Sequence, residues 1–444
     1  MSAQTSSFQD FRNLLQHLGT ETADRDMSDN ERIHAAKSTF MRKLDGRKAV
    51  DLDTCIQCGM CAEACHFYEA TLDEKYAPVY KFRLLRRFYR REISPMRLLF
   101  RPFTKDISVA DLKEWQHYVY DACTSCGRCD MMCPMGINIS TLIRVTREGI
   151  AAAGFMPPEL RALRNEQRDQ NTLFGVGSEQ LKALIHDLGA KKINVPLDRP
   201  HADVMLLTTA ADILLFPNAL AATARILNKT GADWTICSDV FEATNIGLVS
   251  GDDPALKLSI KRIVDKAMAI SASTLLLPES GHAYQAMRWE GANEMGASLP
   301  FEVLSIPEFI AAQTEAGKLN FKPQDNGTSV TYHDPCRLAR KGGVMQQPRD
   351  VLSAAGLELR ETAATGRENY CCGGGCGEYV VKSSADLRQK AFEIKRREFD
   401  ETDADAVVTG CVNCRINLAI GAENSGWQMP VTSLVETVAA RLAD

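Results

Sequence analysis

The sequence predicts an α+β multidomain chain: a helical part holding two cysteine runs, then two α/β repeats of which the first is degenerate. Three observations carry this reading. Eight of the 15 cysteines fall in two compact runs, at residues 55–65 and 123–133. From about residue 201, short apolar runs alternate with helical stretches, the pattern of parallel sheets covered by helices. The later of these stretches carries a third cysteine set at strand ends, and the earlier one has almost none.

Composition sets the outer bounds. At 444 residues the chain has room for two to four domains. Apolar residues make up 45% and charged residues 25%, as in soluble globular proteins, and the net charge of −5 gives no general basis for binding nucleic acid. The opening "MSAQTSSFQDFRNLLQHLG" has neither a basic n-region nor a long apolar core, so it does not read as a signal peptide. Residues 1–45 read as an N-terminal extension. No apolar run reaches the ~18 residues of a membrane span. The nearest candidate is broken by Asp212, Pro217 and Arg225 and reads as a strand followed by a helix. Many cysteines in a chain expected to stay in a reducing, cytoplasmic compartment point to metal or redox chemistry before disulfides.

Residues 46–155 hold the two runs. "CIQCGMCAEAC" supplies Cys55, Cys58, Cys61 and Cys65; "CTSCGRCDMMCP" supplies Cys123, Cys126, Cys129 and Cys133. Both read C-x-x-C-x-x-C-x-x-x-C. The tight turns let several thiolates converge on one cuboidal cluster, and the run is the signature of bacterial [4Fe–4S] ferredoxin sites. Zinc usually takes two separated C-x-x-C pairs; zinc or spare thiols are the alternative. In two-cluster ferredoxins the fourth cysteine of each run crosses to the other cluster. Applied here, Cys55, Cys58, Cys61 and Cys133 hold one cubane, and Cys123, Cys126, Cys129 and Cys65 the other. His66 stands where proline usually follows, either as a tolerated substitution or as a hydrogen-bond donor that tunes the cluster.

Between the runs, residues 80–103 carry eight Lys or Arg and one acid, Glu92. The stretch reads as a solvated helix face or as a docking surface for a membrane or membrane subunit. No nucleic-acid-binding motif accompanies it. Residues 156–200 read as a linker with helical character.

In the second half, "DVMLLTT", "STLLLPES", "FEVLSI", "SVTYHD" and "DAVVTG" read as strands, and "NALAATARILNKTG" and "SSADLRQKAFEIKRREFDE" as helices. Ligands in such sheets sit off the strands' carboxyl ends. Residues 201–318 and 319–444 read as two copies of one plan. Glu279 aligns with Cys411, His282 with Cys414, and Cys237 stands roughly where Cys372 does. The later copy holds Cys336, the adjacent pair Cys371 and Cys372, and "CVNC" with Cys411 and Cys414. Thirty-four residues separate Cys336 from Cys371, and 38 separate Cys372 from Cys411. Glycines around the pair let backbone approach something bulky. Five thiolates exceed an ordinary four-ligand cluster. A zinc site with a spare thiol and a vicinal disulfide switch are the alternatives. Cys376 reads as a spare thiol or as a sixth thiol near the site.

The pattern C…CC…C-x-x-C resembles the cysteine-rich CCG domain of heterodisulfide reductases. Two [4Fe–4S] runs, a linker and two CCG repeats resemble the D subunit of heterodisulfide reductases and the K subunit of the membrane complex associated with sulfite reductase. Iron–sulfur subunits of glycerol-3-phosphate dehydrogenase and of glycolate and lactate oxidases share the plan. The resemblance implies a helical two-cluster ferredoxin domain, a degenerate CCG repeat, and an intact one with a noncubane [4Fe–4S] cluster on Cys336, Cys371, Cys372, Cys411 and Cys414. It implies a cluster at which a disulfide or persulfide is reduced or formed. His282 and His333 read either as structural histidines or as residues that line the cavity beside it. A histidine titrating near neutral pH would serve there as a proton source. Electrons would pass through two cubanes to or from a membrane cytochrome b and the quinone pool. The sulfur partner would be a small molecule or a carrier protein. The chain would then sit peripherally on the inner face of the membrane, with no flavin of its own. The alternative is an electron-transfer subunit of a flavin-dependent 2-hydroxyacid or glycerol-3-phosphate dehydrogenase. Purified without oxygen, the protein is expected to be brown and to release sulfide with acid. A colourless, zinc-loaded product would favour an interaction scaffold.

Overall fold

The structure, a computed structural model, describes residues 2–20, 26–323 and 328–443; the side chains of residues 2–7 and of Cys376 lie outside it. It is a mixed helix-and-sheet protein. Helices fill the first 190 residues, and two four-stranded parallel sheets follow.

The helical part is organised by Ile139–Ala152. Asn138 caps this helix by accepting from the Thr141 N–H, and most of its side chains are buried. Helix Asp29–Lys43, started by a Ser28–Glu31 capping box, lies along it and buries Ala36 and Phe40. Arg147, 1% exposed, is its most unusual residue. Its guanidinium donates to the carbonyls of Val119, Val249 and Cys123 and lies over the Tyr120 ring. A charge at this depth is tolerable because carbonyls from three directions surround it.

The basic stretch between the runs divides. Helix Arg83–Glu92 turns Leu84, Leu85, Arg86, Phe88 and Tyr89 inward. Arg86 donates to the Cys55 carbonyl at 2.8 Å, and Arg87 pairs with Asp111 at 2.6 Å. These two cations are structural and unavailable to a partner, which the run of charges did not reveal.

The first sheet comprises β1 (Val204–Leu206), β2 (Trp234–Thr235), β3 (Thr274–Leu277) and β4 (Glu302–Ser305), in the order β2-β1-β3-β4. The second comprises β5 (Ser329–His333), β6 (Glu358–Leu359), β7 (Ala406–Thr409) and β8 (Val431–Ser433), in the order β6-β5-β7-β8. The orders are equivalent and every pairing is parallel. The short strands β2, β6 and β8 are absent from the sequence reading: none exceeds three residues, too few to show a period. After β3 the chain forms Gly281–Tyr284, a π turn at Gln285–Glu290, and Gly291–Met295.

The units touch at the ends of β3 and β7. The Val412 N–H donates to the Glu279 carbonyl at 2.6 Å, and the Val435 N–H to the Glu279 carboxylate at 3.0 Å. Near this seam burial pushes the Glu279 carboxyl up to about 8 and that of Glu242 up to about 7. Both pKa values rise on folding, so the folded state holds protons the unfolded chain has released between about pH 4.5 and 8. Stability is therefore expected to fall as pH rises through that window. A Glu242→Gln, Glu279→Gln protein should show a flatter dependence of unfolding temperature on pH between 5 and 9; an unchanged slope would contradict the assignment.

Candidate metal and sulfur centre

Among the described residues, three cavities are lined by cysteines. Cys55, Cys58, Cys61 and Cys133 line one, with Val79, Phe82 and Ile137 completing an apolar wall. Cys65, Cys123, Cys126 and Cys129 line the second, with His66, Phe67 and Lys81. Each thus draws three cysteines from one run and the fourth from the other. The C-x-x-C turns are alike: Gln57 and Ser125, third in each turn, both have left-handed backbone, at φ 58° and 50°. Such turns bring successive N–H groups round toward an anion, and the Ser125 N–H approaches Cys123 Sγ at 3.4 Å. Four thiol donors on an otherwise apolar wall fit a [4Fe–4S] cluster at each cavity.

The cavities differ in charge and depth. Cys58 is exposed, as are Ile56, Met60 and Met135 around it. The second lies deeper. Lys81, 1% exposed, reaches within 3.3 Å of Cys65 Sγ and also donates to the Ala122 carbonyl. Burial pulls its pKa down, but the thiolates of Cys65 and Cys123 outweigh this and hold it above the usual lysine value. His66 is buried in the same wall, and burial pushes it down to about 4, so it is neutral. Its Nε2 has no hydrogen-bond partner among the described residues.

The third cavity lies at the carboxyl end of the second sheet. Cys336, Cys371, Cys372, Cys411 and Cys414 line it, together with Gly281, His282, Arg337 and Asn413. Cys336 follows β5, and Cys411 and Cys414 follow β7, at the start of helix Val412–Ser425. Asp334, fully buried, anchors the first of these loops. It accepts both Nη atoms of Arg349, at 2.9 and 2.8 Å, and the Gly366 N–H at 2.7 Å, while its carbonyl accepts from Asn369. The Cys371–Cys372 pair then runs into a glycine turn. Gly373 is left-handed at φ 92°, and a Cβ on Gly375 would sit 3.1 Å from the Thr124 side chain. Cys372 Sγ and Cys414 Sγ stand 3.3 Å apart.

The glycine turn therefore rests on the second run. Cys126 packs against the buried cluster that contains Cys336, Cys371 and Cys372. Arg340 donates to the Cys126 carbonyl at 3.0 Å and to Arg367 and Asn369, and Arg128 donates to the Glu368 carbonyl and stacks on Tyr370. The second and third cavities are neighbours.

Of the two histidines expected at this cavity, His282 is in its wall and receives or donates a hydrogen bond at Asn413, 3.1 Å away. Burial pushes it well below the usual range, so it is neutral and does not titrate near pH 7 as the sequence suggests. His333 has a ring nitrogen within 4.8 Å of the sulfurs of Cys372 and Cys414. Cys237 lies elsewhere, in the apolar core behind the first sheet with Met205 and Leu277. Sequence reasoning missed Lys81, Arg337 and Asn413. Two point inward from helices and one from a loop; Asn413 lies inside CVNC and Lys81 inside the basic stretch, but neither pattern says which side chain faces the sulfurs.

A model of the 4Fe-4S dicluster domain matches residues 51–137, and one of the cysteine-rich CCG domain matches residues 330–419. The chain is 28% identical to the D subunit of the dihydromethanophenazine:CoB–CoM heterodisulfide reductase of Methanosarcina barkeri, covering 90% of this chain and 96% of that one. It is 26% identical to the Hdr-like menaquinol oxidoreductase iron-sulfur subunit 2 of Archaeoglobus fulgidus, over 90% and 80%. It is also 26% identical to the EtfAB:quinone oxidoreductase of Syntrophomonas wolfei, over 84% of this chain and 56% of that one. With two sulfur-lined cavities in the matched dicluster segment and a third in the matched cysteine-rich segment, the chain is a heterodisulfide-reductase-like iron–sulfur oxidoreductase subunit that carries both matched domains.

Proposed function

We propose that the protein exchanges electrons between a membrane, quinone-linked partner and a disulfide or persulfide bound at the third cavity. The observation that carries this reading is five thiols around one cavity set against the second run. Cys55, Cys58, Cys61 and Cys133 would hold one cubane, Cys65, Cys123, Cys126 and Cys129 another, and the five C-terminal cysteines a noncubane cluster. When bound, the cubanes supply one-electron transfer and the third cluster an iron site for sulfur. The exposed Cys58 makes the first cavity the port for a partner, such as a cytochrome b, and the depth of the second makes it the inner station. At the third, Arg337 and the Asn413–His282 pair offer donors to sulfur as it gains charge. His282, being neutral, orients and hydrogen-bonds, and a ring nitrogen of His333 lies within 4.8 Å of the sulfurs of Cys372 and Cys414.

In this reading residues 46–155 form the two-cluster unit, 201–318 a repeat that has lost its cysteines, and 319–444 the intact one. The equivalent strand orders support the duplication. The degenerate copy keeps a task, since its residues 281 and 282 complete the cavity wall. The relation to an EtfAB:quinone oxidoreductase favours a second reading, in which the chain serves a flavoprotein and handles no sulfur substrate.

Two measurements test this. Replacing Cys372 by Ser swaps a soft thiolate for a poor iron ligand. The variant should keep the iron of both cubanes, lose that of the third cluster, and lose disulfide turnover; full iron and full turnover would reject the assignment. Lys81→Met removes a buried positive charge beside Cys65. Reduction adds negative charge, so the midpoint of the second-run centre should fall by roughly 60 mV or more, about 1.4 kcal/mol. A redox titration followed by EPR reads this, and an unchanged midpoint would remove Lys81 from the site.

A further inference from the structure

Between the two cysteine runs the chain displays apolar side chains that its fold holds outward. Met96, Leu98, Leu99 and Phe103 are 54%, 83%, 58% and 88% exposed. Single exposed leucines need no explanation, but four large apolar side chains within eight residues do. The segment is firmly built. It forms helix Arg97–Phe100 and the 3-10 turn Arg101–Phe103. Arg91 donates to the carbonyls of Arg101 and Thr104, at 3.2 and 2.7 Å, and the Thr104 hydroxyl donates to the Phe100 carbonyl at 2.8 Å. The Met96 N–H donates to the hydroxyl of buried Ser94 at 3.3 Å.

Cations rim these tips. Arg97, Arg101 and Lys105 are exposed and make no ion pair among the described residues. The acids closest in sequence are occupied elsewhere, Glu92 by Arg91 and Asp106 by Lys37 and Arg91. At 83% and 88% exposure, Leu98 and Phe103 stand off the surface with little beneath them, a shape suited to entering a deformable layer. Apolar tips ringed by arginine and lysine complement a bilayer interface: the tips enter the acyl boundary, and the cations meet phosphate headgroups. No helix of the described residues is long and apolar enough to cross a membrane, so the contact is with its surface.

We propose that residues 96–105 form a lipid-insertion wedge for an anionic membrane surface. The proposal rests on the membrane-linked reading above and deepens it. Arg86 links the helix that leads into the wedge to the Cys55 carbonyl, so insertion would tether the first cavity at the membrane.

The test is sedimentation of the purified, cluster-loaded protein with vesicles. One set is phosphatidylcholine containing about one-third phosphatidylglycerol, and the other is phosphatidylcholine alone. Wild type should bind the anionic vesicles, bind the neutral ones weakly, and release as salt rises. A Leu98→Ser, Leu99→Ser, Phe103→Ser protein and an Arg97→Gln, Arg101→Gln, Lys105→Gln protein should each bind the anionic vesicles at least about tenfold more weakly, with unchanged iron content. Wild type that ignores the anionic vesicles, or variants that bind like wild type, would overturn the proposal. If wild type ignores both vesicle sets while the variants detach from native membranes, the wedge seats on a membrane protein and the lipid assignment fails. Disulfide turnover with a soluble reductant tests the third cavity separately: its absence from wild type, with vesicle binding intact, would reject the sulfur reading and leave the wedge standing.

Discussion

Contact between the glycine turn at 373–375 and the C-x-x-C turn at 123–126 is the constraint the remaining architecture serves. Electron exchange between two centres falls steeply with distance, so their protein shells must be thin where they meet. Here Gly375 lies against Thr124, and Cys126 packs on the cluster that contains Cys371. Arg340 and Arg128 close the contact by donating across it to backbone carbonyls, so the seam is held by directional bonds as well as by packing.

Charge is the second constraint. Gathering cysteines in apolar surroundings favours the neutral thiol: burial pushes Cys61 up to about 11 and Cys129 well above its ordinary value. Holding them as thiolates needs nearby positive charge, and iron supplies most of it. The protein adds Lys81 by the second cavity, Arg147 beneath it at the Cys123 carbonyl, and Arg337 at the third. The first cavity has only Arg86, directed at a carbonyl, and stands at the surface. Buried positive charge thus stands beside the second and third cavities, while the first opens to the surface.

The first α/β unit lacks the cysteine set of the second, and it still has a structural duty at the third cavity. Glu279 and Cys411 each lie two residues past the end of the third strand of their sheets. In the second unit that position carries sulfur. In the first it carries a carboxyl that burial keeps mostly protonated at neutral pH, and whose carbonyl and side chain bind the backbone of the second unit. One copy of the plan makes the cavity and the other closes it.

Local spacing was enough to make the thiol chemistry legible. The two C-x-x-C-x-x-C-x-x-x-C runs, the adjacent Cys371 and Cys372, and the C-x-x-C at Cys411 are short-range patterns, because a tight turn brings several ligands of one cluster together. The longer strands were legible for a similar reason, since four or five apolar residues between turn signals suffice to mark them. What the tertiary structure alone decided is everything that depends on residues far apart meeting. It brought Lys81 to Cys65, His282 and Asn413 to the wall of the third cavity, and the second run to the glycine turn. It also turned half of the basic stretch inward and left Leu98 and Phe103 outside, because a helix spends its charges on whichever neighbours its buried face selects. Sequence spacing carries no record of those neighbours; only the packing of the helices against each other does.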